Sequence, residues 1–265
     1  MDFVAYTTKN YQILTDIWYK TLQEIPIEKN IHLKVDDLEN TYNFGDDFYM
    51  TCLENKLKNL IQHEPSPNCE FIVSSDCDIQ FFKHGDWESL LNTIRTSKKQ
   101  IFFMRDCTRE FVNGGFYIIK KEYFETYKNF IQKMLEHGIR DYHYGDQCYI
   151  NDHRDELDWE FISDEYITCA ENWKWDLSRM CLHHAIATPD LGPDPLMNKL
   201  KTMHRVKSII DCKIPLKIQG DYVLVVSKYK ENTSWTKKYE HVIIYDKFKG
   251  DLPNLGREAH LSLIH

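Results

Sequence analysis

The residues best suited to chemistry form the run Ser74-Ser75-Asp76-Cys77-Asp78-Ile79-Gln80, which follows an apolar stretch from Phe71. If that stretch is a strand and persists, Asp76 and Asp78 share a face, because side chains alternate with period two. Two carboxylates on one face repel each other unless a cation sits between them. A hard divalent ion, Mn²⁺ or Mg²⁺, would satisfy both and bridge them to a diphosphate. The plainer reading of the same residues is an acidic loop after a strand.

Three further groups carry functional side chains. In Phe111-Val112-Asn113-Gly114-Gly115-Phe116-Tyr117, paired glycines let the backbone approach something bulky or take a positive φ. Asn113 offers a donor and acceptors for sugar hydroxyls; the ordinary reading of the run is a hairpin turn. Gly145-Asp146-Gln147, with Asn151 beyond, marks a helix start where Asp146 serves as a cap. Tyr142, His143 and Tyr144 before it present flat faces of the kind sugars stack on, or fill a core. Cys181-Leu182-His183-His184-Ala185 turns one of two adjacent imidazoles toward any site nearby. An imidazole joining two carboxylates is a mixed N/O set that suits Mn²⁺. Downstream, Lys199 and Lys201 would meet a diphosphate or line a solvated helix face.

Strands and helices alternate around these groups. Phe3–Thr8 reads as a strand ending in Thr7-Thr8, followed by a helix with Leu14, Ile17, Trp18 and Leu22 at helical spacing. Ile31–Val35 alternates as a second strand, and 46–62 repeats the helical period until Pro65 and Pro67 stop it. Cys69–Ser75 is a third strand. A helix around Trp87–Ile94, strands at Gln100–Arg105 and Gly115–Ile119, and a helix from Tyr123 to Gly138 follow. This order predicts an α/β fold, an α/β/α sandwich with a mainly parallel central sheet. Ligands of such folds sit at the carboxyl ends of the strands, where Thr7, Thr8, Asp76 and Asp78 fall. After about residue 212 two fresh strands are expected, at Asp221–Tyr229 and His241–Tyr245, with a turn toward a helix at Asp251–His260.

Composition narrows the class. The 265 residues carry 41 Asp plus Glu against 33 Lys plus Arg, a net charge of -8. That balance argues against nucleic acid as a partner, since such binding rests on clustered cations. No run approaches a membrane span, and the first residues lack the basic start and apolar core of a signal peptide. Eight cysteines without a Cys-x-x-Cys pair fit neither a zinc ribbon nor a disulfide framework. They read as reduced, mostly buried thiols in a cytoplasmic setting.

Taken in order, the strand ending Tyr6-Thr7-Thr8, Asp76-Cys77-Asp78, Asn113-Gly114-Gly115, Gly145-Asp146-Gln147 with Asn151, and His183-His184-Ala185 resemble the GT-A glycosyltransferases, which use nucleotide-diphosphosugars. The likeness spans 1–212. The wording around Ser75–Phe82 and Phe111–Phe116 is most similar to the first domain of chlorella-virus proteins that build the capsid glycan. The resemblance implies that Asp76 contacts ribose and metal, and that Asp78 is the main ligand of Mn²⁺ or Mg²⁺. It implies His184, with His183 as the alternative, as the later metal ligand. Thr7 and Thr8 would border the uracil and ribose, Asn113, Gly114 and Gly115 the donor sugar, and Asp146 with Gln147 the sugar and acceptor, in catalytic roles. The implied activity is transfer from a UDP-sugar, for example UDP-glucose or UDP-rhamnose, to a glycan or glycoprotein, in the host cytoplasm if viral. Asp146 is the base an inverting route would need, whereas Asp-Gln ahead of the histidines looks more like retaining members. Two other readings remain open: a nucleotide-sugar binding module without turnover, and a nucleotidyltransferase, for which Thr7-Thr8-Lys9-Asn10 lacks the basic Gly-rich loop. Residues 213–265 read as a linker and the truncated start of a second domain, similar to an uncharacterised family in fungal and viral proteins.

Overall fold

The computed structural model describes residues 1–37, 47–106, 110–142, 145–169, 179–186 and 194–211, and the strands Leu224–Lys228 and Val242–Asp246. The chain runs β1 (Asp2–Thr8), α1 (Gln12–Glu24), β2 (Asn30–Asp36), α2 (Asp47–Gln62), β3 (Phe71–Ser75), β4 (Ile79–Phe81), α3 (Trp87–Thr96), β5 (Ile101–Arg105), β6 (Val112–Lys120), α4 (Phe124–His137), α5 (Asp146–His153), β7 (Trp159–Phe161), β8 (Ile167–Cys169), β9 (Leu182–His184), α6 (Pro195–Asp211), β10 (Leu224–Lys228) and β11 (Val242–Asp246).

Six strands form the central sheet in the order β2-β1-β3-β6-β5-β7. β6 pairs antiparallel with both β3 and β5, and the remaining pairs are parallel, so β6 alone opposes the others. The mainly parallel α/β sandwich expected from the sequence is therefore observed. β6 reverses because only a short connection separates it from β5, too short for the helical crossover a parallel pair requires.

Alternation sorts the strand residues into two cores. Phe3, Ala5, Phe71, Val73, Phe102, Met104, Phe116 and Ile118 face α1 and α3, packing on Trp18, Leu22, Trp87, Leu90 and Ile94. Their neighbours Val4, Ile72, Ile101, Phe103, Tyr117 and Ile119 face α2, α4 and α5, packing on Leu57, Leu60, Tyr127, Ile131 and Ile150. A sheet covered on both faces needs continuous apolar runs, which is why β1, β3 and β6 are buried along their whole lengths. Trp18 Nε1–H donates to Ser75 Oγ at 2.9 Å, tying α1 to the end of β3.

A second sheet of three short strands, β4-β9-β8, lies beyond β3. Strands of three residues give too little alternation to be read from sequence, and β4, β7 and β8 are additions to the expected set. β10 and β11 pair parallel in a sheet of their own. The expected turn and helix at 251–260 lie outside the described residues. Cys52, Cys69, Cys77, Cys148, Cys169 and Cys181 are free thiols. Among the described residues no helix is long and apolar enough to cross a membrane.

Candidate metal and ligand site

The acidic pair sits where β3 stops. The strand does not persist through it: β3 ends at Ser75, and Asp76-Cys77-Asp78 turn into β4. Backbone hydrogen bonds fix that turn from both sides. Asp76 N–H donates to the Gly115 carbonyl at 2.8 Å, and Ala185 N–H donates to the Asp78 carbonyl at 2.9 Å. The two carboxylates converge through this turn rather than through strand pleating. Asp78 is buried and Asp76 is half-buried.

His184 joins them from β9, where it stands opposite Ile79 of β4. Its Nε2 lies 3.1 Å from Asp78 Oδ1. Ligand atoms of Asp76, Asp78 and His184 all fall within 4.8 Å of one another. His183, one residue earlier, faces the other way. Its Nδ1 meets Gln80 Nε2 at 3.1 Å, and Gln80 also donates to the Met203 carbonyl of α6. The two adjacent histidines thus have separate surroundings, and His184 is the one beside the carboxylates.

Glycines 114 and 115 lie inside β6, not in the hairpin turn that their sequence suggests. Pairing with β5 shifts between Phe103 and Met104, whose partners are Tyr117 and Asn113, so β6 bulges at these glycines. A Cβ on Gly115 would come 2.3 Å from His184 Cε1 and 2.9 Å from Asp76 Oδ2. Only a residue without a side chain fits there. Asn113 Oδ1 accepts Gly115 N–H at 2.8 Å, bracing the bulge.

Asp146 opens α5 and lies against Gly114, where a Cβ would come 3.2 Å from its carboxylate oxygens. The expected cap is not formed: Gly145 holds the cap position without a side-chain bond, and Asp146 is the first helical residue, its Oδ1 accepting the N–H of its neighbour Gln147 at 2.8 Å. Gln147 Oε1 accepts Gly114 N–H at 3.3 Å, and its Nε2–H donates to Asp106 Oδ2 at 3.1 Å. Asn151, one turn on, pairs with both backbone groups of Val112 and so docks α5 on β6. Of the aromatic run before it, Tyr142 packs edge-on against Tyr149, and His143 and Tyr144 lie outside the described residues.

Thr7 and Thr8 are buried at the carboxyl end of β1. The Thr7 hydroxyl is 2.9 Å from that of Thr15 in α1, so it looks into the protein.

Two cations, Lys56 buried and Lys199 partly buried, complete the group, and sequence reasoning missed the first of them. Lys56 projects from α2 to Asp76 Oδ1 at 2.8 Å, to Asp146 Oδ2 at 3.4 Å and to the Gly114 carbonyl at 2.8 Å. Lys199 of α6 pairs with Asp78 Oδ2, whereas Lys201 is exposed. Burial favours a neutral amine, but Asp76 and Asp146 outweigh it and hold Lys56 well above the usual lysine range. Asp78 does the same for Lys199. Burial likewise opposes the Asp78 charge, yet Lys199 and then His184 draw its carboxyl far below the ordinary value. At Asp146 burial wins over Lys56 and raises the carboxyl.

The donor set fits a divalent ion. His184 Nδ1 is buried without a hydrogen-bond partner, and Asp78 Oδ1, although 3.1 Å from His184 Nε2, makes no well-directed hydrogen bond, a costly state for atoms of this kind. Two carboxylates and an imidazole at this spacing suit Mn²⁺ or Mg²⁺. Asp76, Asp78 and Asp146 against Lys56 and Lys199 leave one uncompensated negative charge. Adding a divalent cation would turn the site positive and make it a place for an anion.

No family model matches the chain, and no curated protein matches it. Solved structures do. A glycosyltransferase involved in glycosylation of the major capsid of PBCV-1 is similar over 77% of this chain and 99% of its own, at a TM-score of 0.53 and 10% identity. An active-site mutant of LgtC is similar over 77% and 95%, at 0.50 and 12%. The glycosyltransferase GlyE of Streptococcus pneumoniae TIGR4 is similar over 86% and 68%, at 0.50 and 13%. The fold is thus the one these glycosyltransferases share, in agreement with the GT-A sandwich expected from the motifs.

Proposed function

We propose that this chain is a divalent-metal-dependent glycosyltransferase that moves a sugar from a UDP-sugar to a glycan or glycoprotein acceptor. The observation that carries the reading is the convergence of Asp76, Asp78 and His184 at the carboxyl end of β3, within a fold shared with glycosyltransferases. Asp76, Asp78 and His184 would hold Mn²⁺ or Mg²⁺. When bound, that ion would neutralise charge on the departing diphosphate.

The chain's own residues have distinct parts. Lys199 holds the buried Asp78 carboxylate in its ionised form. Lys56 ties Asp76, Asp146 and the Gly114 carbonyl into one unit, which fixes the bulge against which a donor sugar would rest. Gln147 braces the same bulge through Gly114 N–H. The expected uracil and ribose borders are Thr7 and Thr8; the Thr7 hydroxyl already serves Thr15, so its contribution would come through backbone and shape. Asp146 is buried, paired with Lys56 and bonded to its own helix. Such a carboxylate suits positioning rather than taking a proton from an acceptor hydroxyl, and this favours retention of anomeric configuration over inversion.

The acceptor of first choice is a capsid glycan, given the PBCV-1 neighbour. Residues 213–265 we assign to a linker and a second folded unit, supported by β10 and β11 pairing with each other.

The test is to incubate the chain with UDP-sugars, Mn²⁺ and glycan acceptors and follow UDP release, with the product anomer read by NMR. Metal-dependent release that is lost in Asp78→Asn supports the proposal. Binding of UDP-sugars with no release and no transfer to any acceptor would replace it with a binding module.

A further inference from the structure

At the opposite end of the sheet lies a second cluster of ligand-type side chains. β1 and β2 run parallel with Asp2 opposite Asn30 and Val4 opposite His32, so Asp2, Val4, Asn30 and His32 share the face covered by α2. His63, the first residue after α2, comes down on that face and packs against Phe124. Three elements distant in sequence therefore bring one carboxylate and two imidazoles together. The Asp2 and His63 side chains are almost fully buried, while the His32 side chain is 41% exposed.

Both imidazoles address the same atom. His63 Nε2 is 3.1 Å from Asp2 Oδ2 and His32 Nε2 is 3.9 Å from it, with the ring centroids 4.5 Å apart. The first distance is a hydrogen bond; the second is too long for one. A tetrahedral ion with bonds near 2.0–2.2 Å places its ligand atoms about 3.4 Å apart, between the two observed values. All three ligand atoms lie within 4.8 Å of one another. The carboxylate is also oriented from behind: Asn30 Nδ2–H donates to Oδ1 at 2.9 Å, and Ser66 N–H donates to Oδ2 at 2.7 Å. Such outer partners are what holds a ligating carboxylate in place.

On its open side the cluster faces a cleft of about 480 Å³ lined by His32, Lys34, Asn59, Gln62, His63 and Glu64. Solvent and ions reach the ligands through it, and a fourth coordination position would point there.

We propose that Asp2, His32 and His63 form a transition-metal site of the zinc class, separate from the cluster at Asp76 and Asp78. The site fastens the start of β1, strand β2 and the end of α2 together, with water in the position facing the cleft. Two imidazoles and one carboxylate select Zn²⁺ over Mg²⁺, which prefers oxygen ligands. The proposal does not depend on the glycosyltransferase reading.

The experiment titrates Co²⁺, then Zn²⁺ in competition, into the full chain carrying Asp78→Asn, with Mg²⁺ in excess, and reads visible absorption and thermal stability. Expected is one tetrahedral Co²⁺ spectrum without a thiolate charge-transfer band, displaced by Zn²⁺, and a rise in Tm with Zn²⁺. His32→Ala, on the exposed side of the cluster, should weaken binding at least about 10-fold and abolish the Zn²⁺-induced rise, with Tm in chelator unchanged. His63→Gln should weaken binding similarly. Absence of binding, a thiolate band, or binding that both variants leave intact would overturn the proposal and leave Asp2 as a hydrogen-bonded clamp only.

Discussion

Lys56 is the residue that most changes the view of the site. In sequence it is one lysine in a helix that also bears Lys58, and nothing distinguishes the two; in the fold it lies on the apolar side of α2 with Leu57 and Leu60 nearby and reaches two carboxylates. Removing one partner of a buried ion pair costs about 3–5 kcal/mol, because the remaining charge is stranded. Lys56→Met should therefore lower stability by about 3 kcal/mol in denaturant unfolding. Adding Asp146→Asn should restore part of it; strictly additive losses would show that the two side chains are not coupled. Gly115 makes a second residue-scale prediction. Gly115→Ala inserts a methyl into His184 and Asp76, so it should cost about 1–3 kcal/mol and weaken metal binding, whereas Gly138→Ala, where the nearest neighbour is 3.7 Å away, should leave metal binding intact. Asp76, Asp78 and the histidine pair were legible because their chemistry is rare. Choosing between His183 and His184 required strand register, which sequence does not supply.

At the scale of elements, long amphipathic helices and buried strands were readable and short strands were not. The paired glycines illustrate the limit. Glycine lacks strand propensity and signals a turn, but here tertiary contacts from His184 and Asp146 demand the missing side chains, and the segment stays in the sheet as a bulge. Helix α3 shows local rules acting as expected. Asp86 caps it by accepting Ser89 N–H at 3.1 Å, and Arg179 pairs with the same carboxylate. Asp86→Ala should cost about 1 kcal/mol. Hydrogen bonds from Ser89, and then Arg179, hold the Asp86 carboxyl below its ordinary value. The folded state therefore binds fewer protons than the unfolded chain at acidic pH. This contribution is fully present above the ordinary carboxyl pKa and fades as pH falls through the lower folded value. Acid unfolding of Asp86→Asn should show a correspondingly shallower dependence on pH than that of the parent chain.

For the whole molecule, the net charge of -8 suggested that any diphosphate would be held through a metal rather than through a basic surface. The fold qualifies that inference: buried Lys56 and partly buried Lys199 do reach the site, but each is matched by carboxylates, and the local balance stays negative without a divalent ion. The sandwich places Asp76, Asp78, His184, Gly114, Gly115 and Asp146 together although they span more than a hundred residues, which is why their order in sequence was informative before their geometry was. Calorimetric titration of UDP into the chain, with and without Mn²⁺ and in Asp78→Asn, tests the central claim most directly. The account predicts binding that appears with Mn²⁺ and falls at least about 100-fold when Asp78 is replaced. Equal affinity without metal, or undiminished affinity in Asp78→Asn, would contradict it.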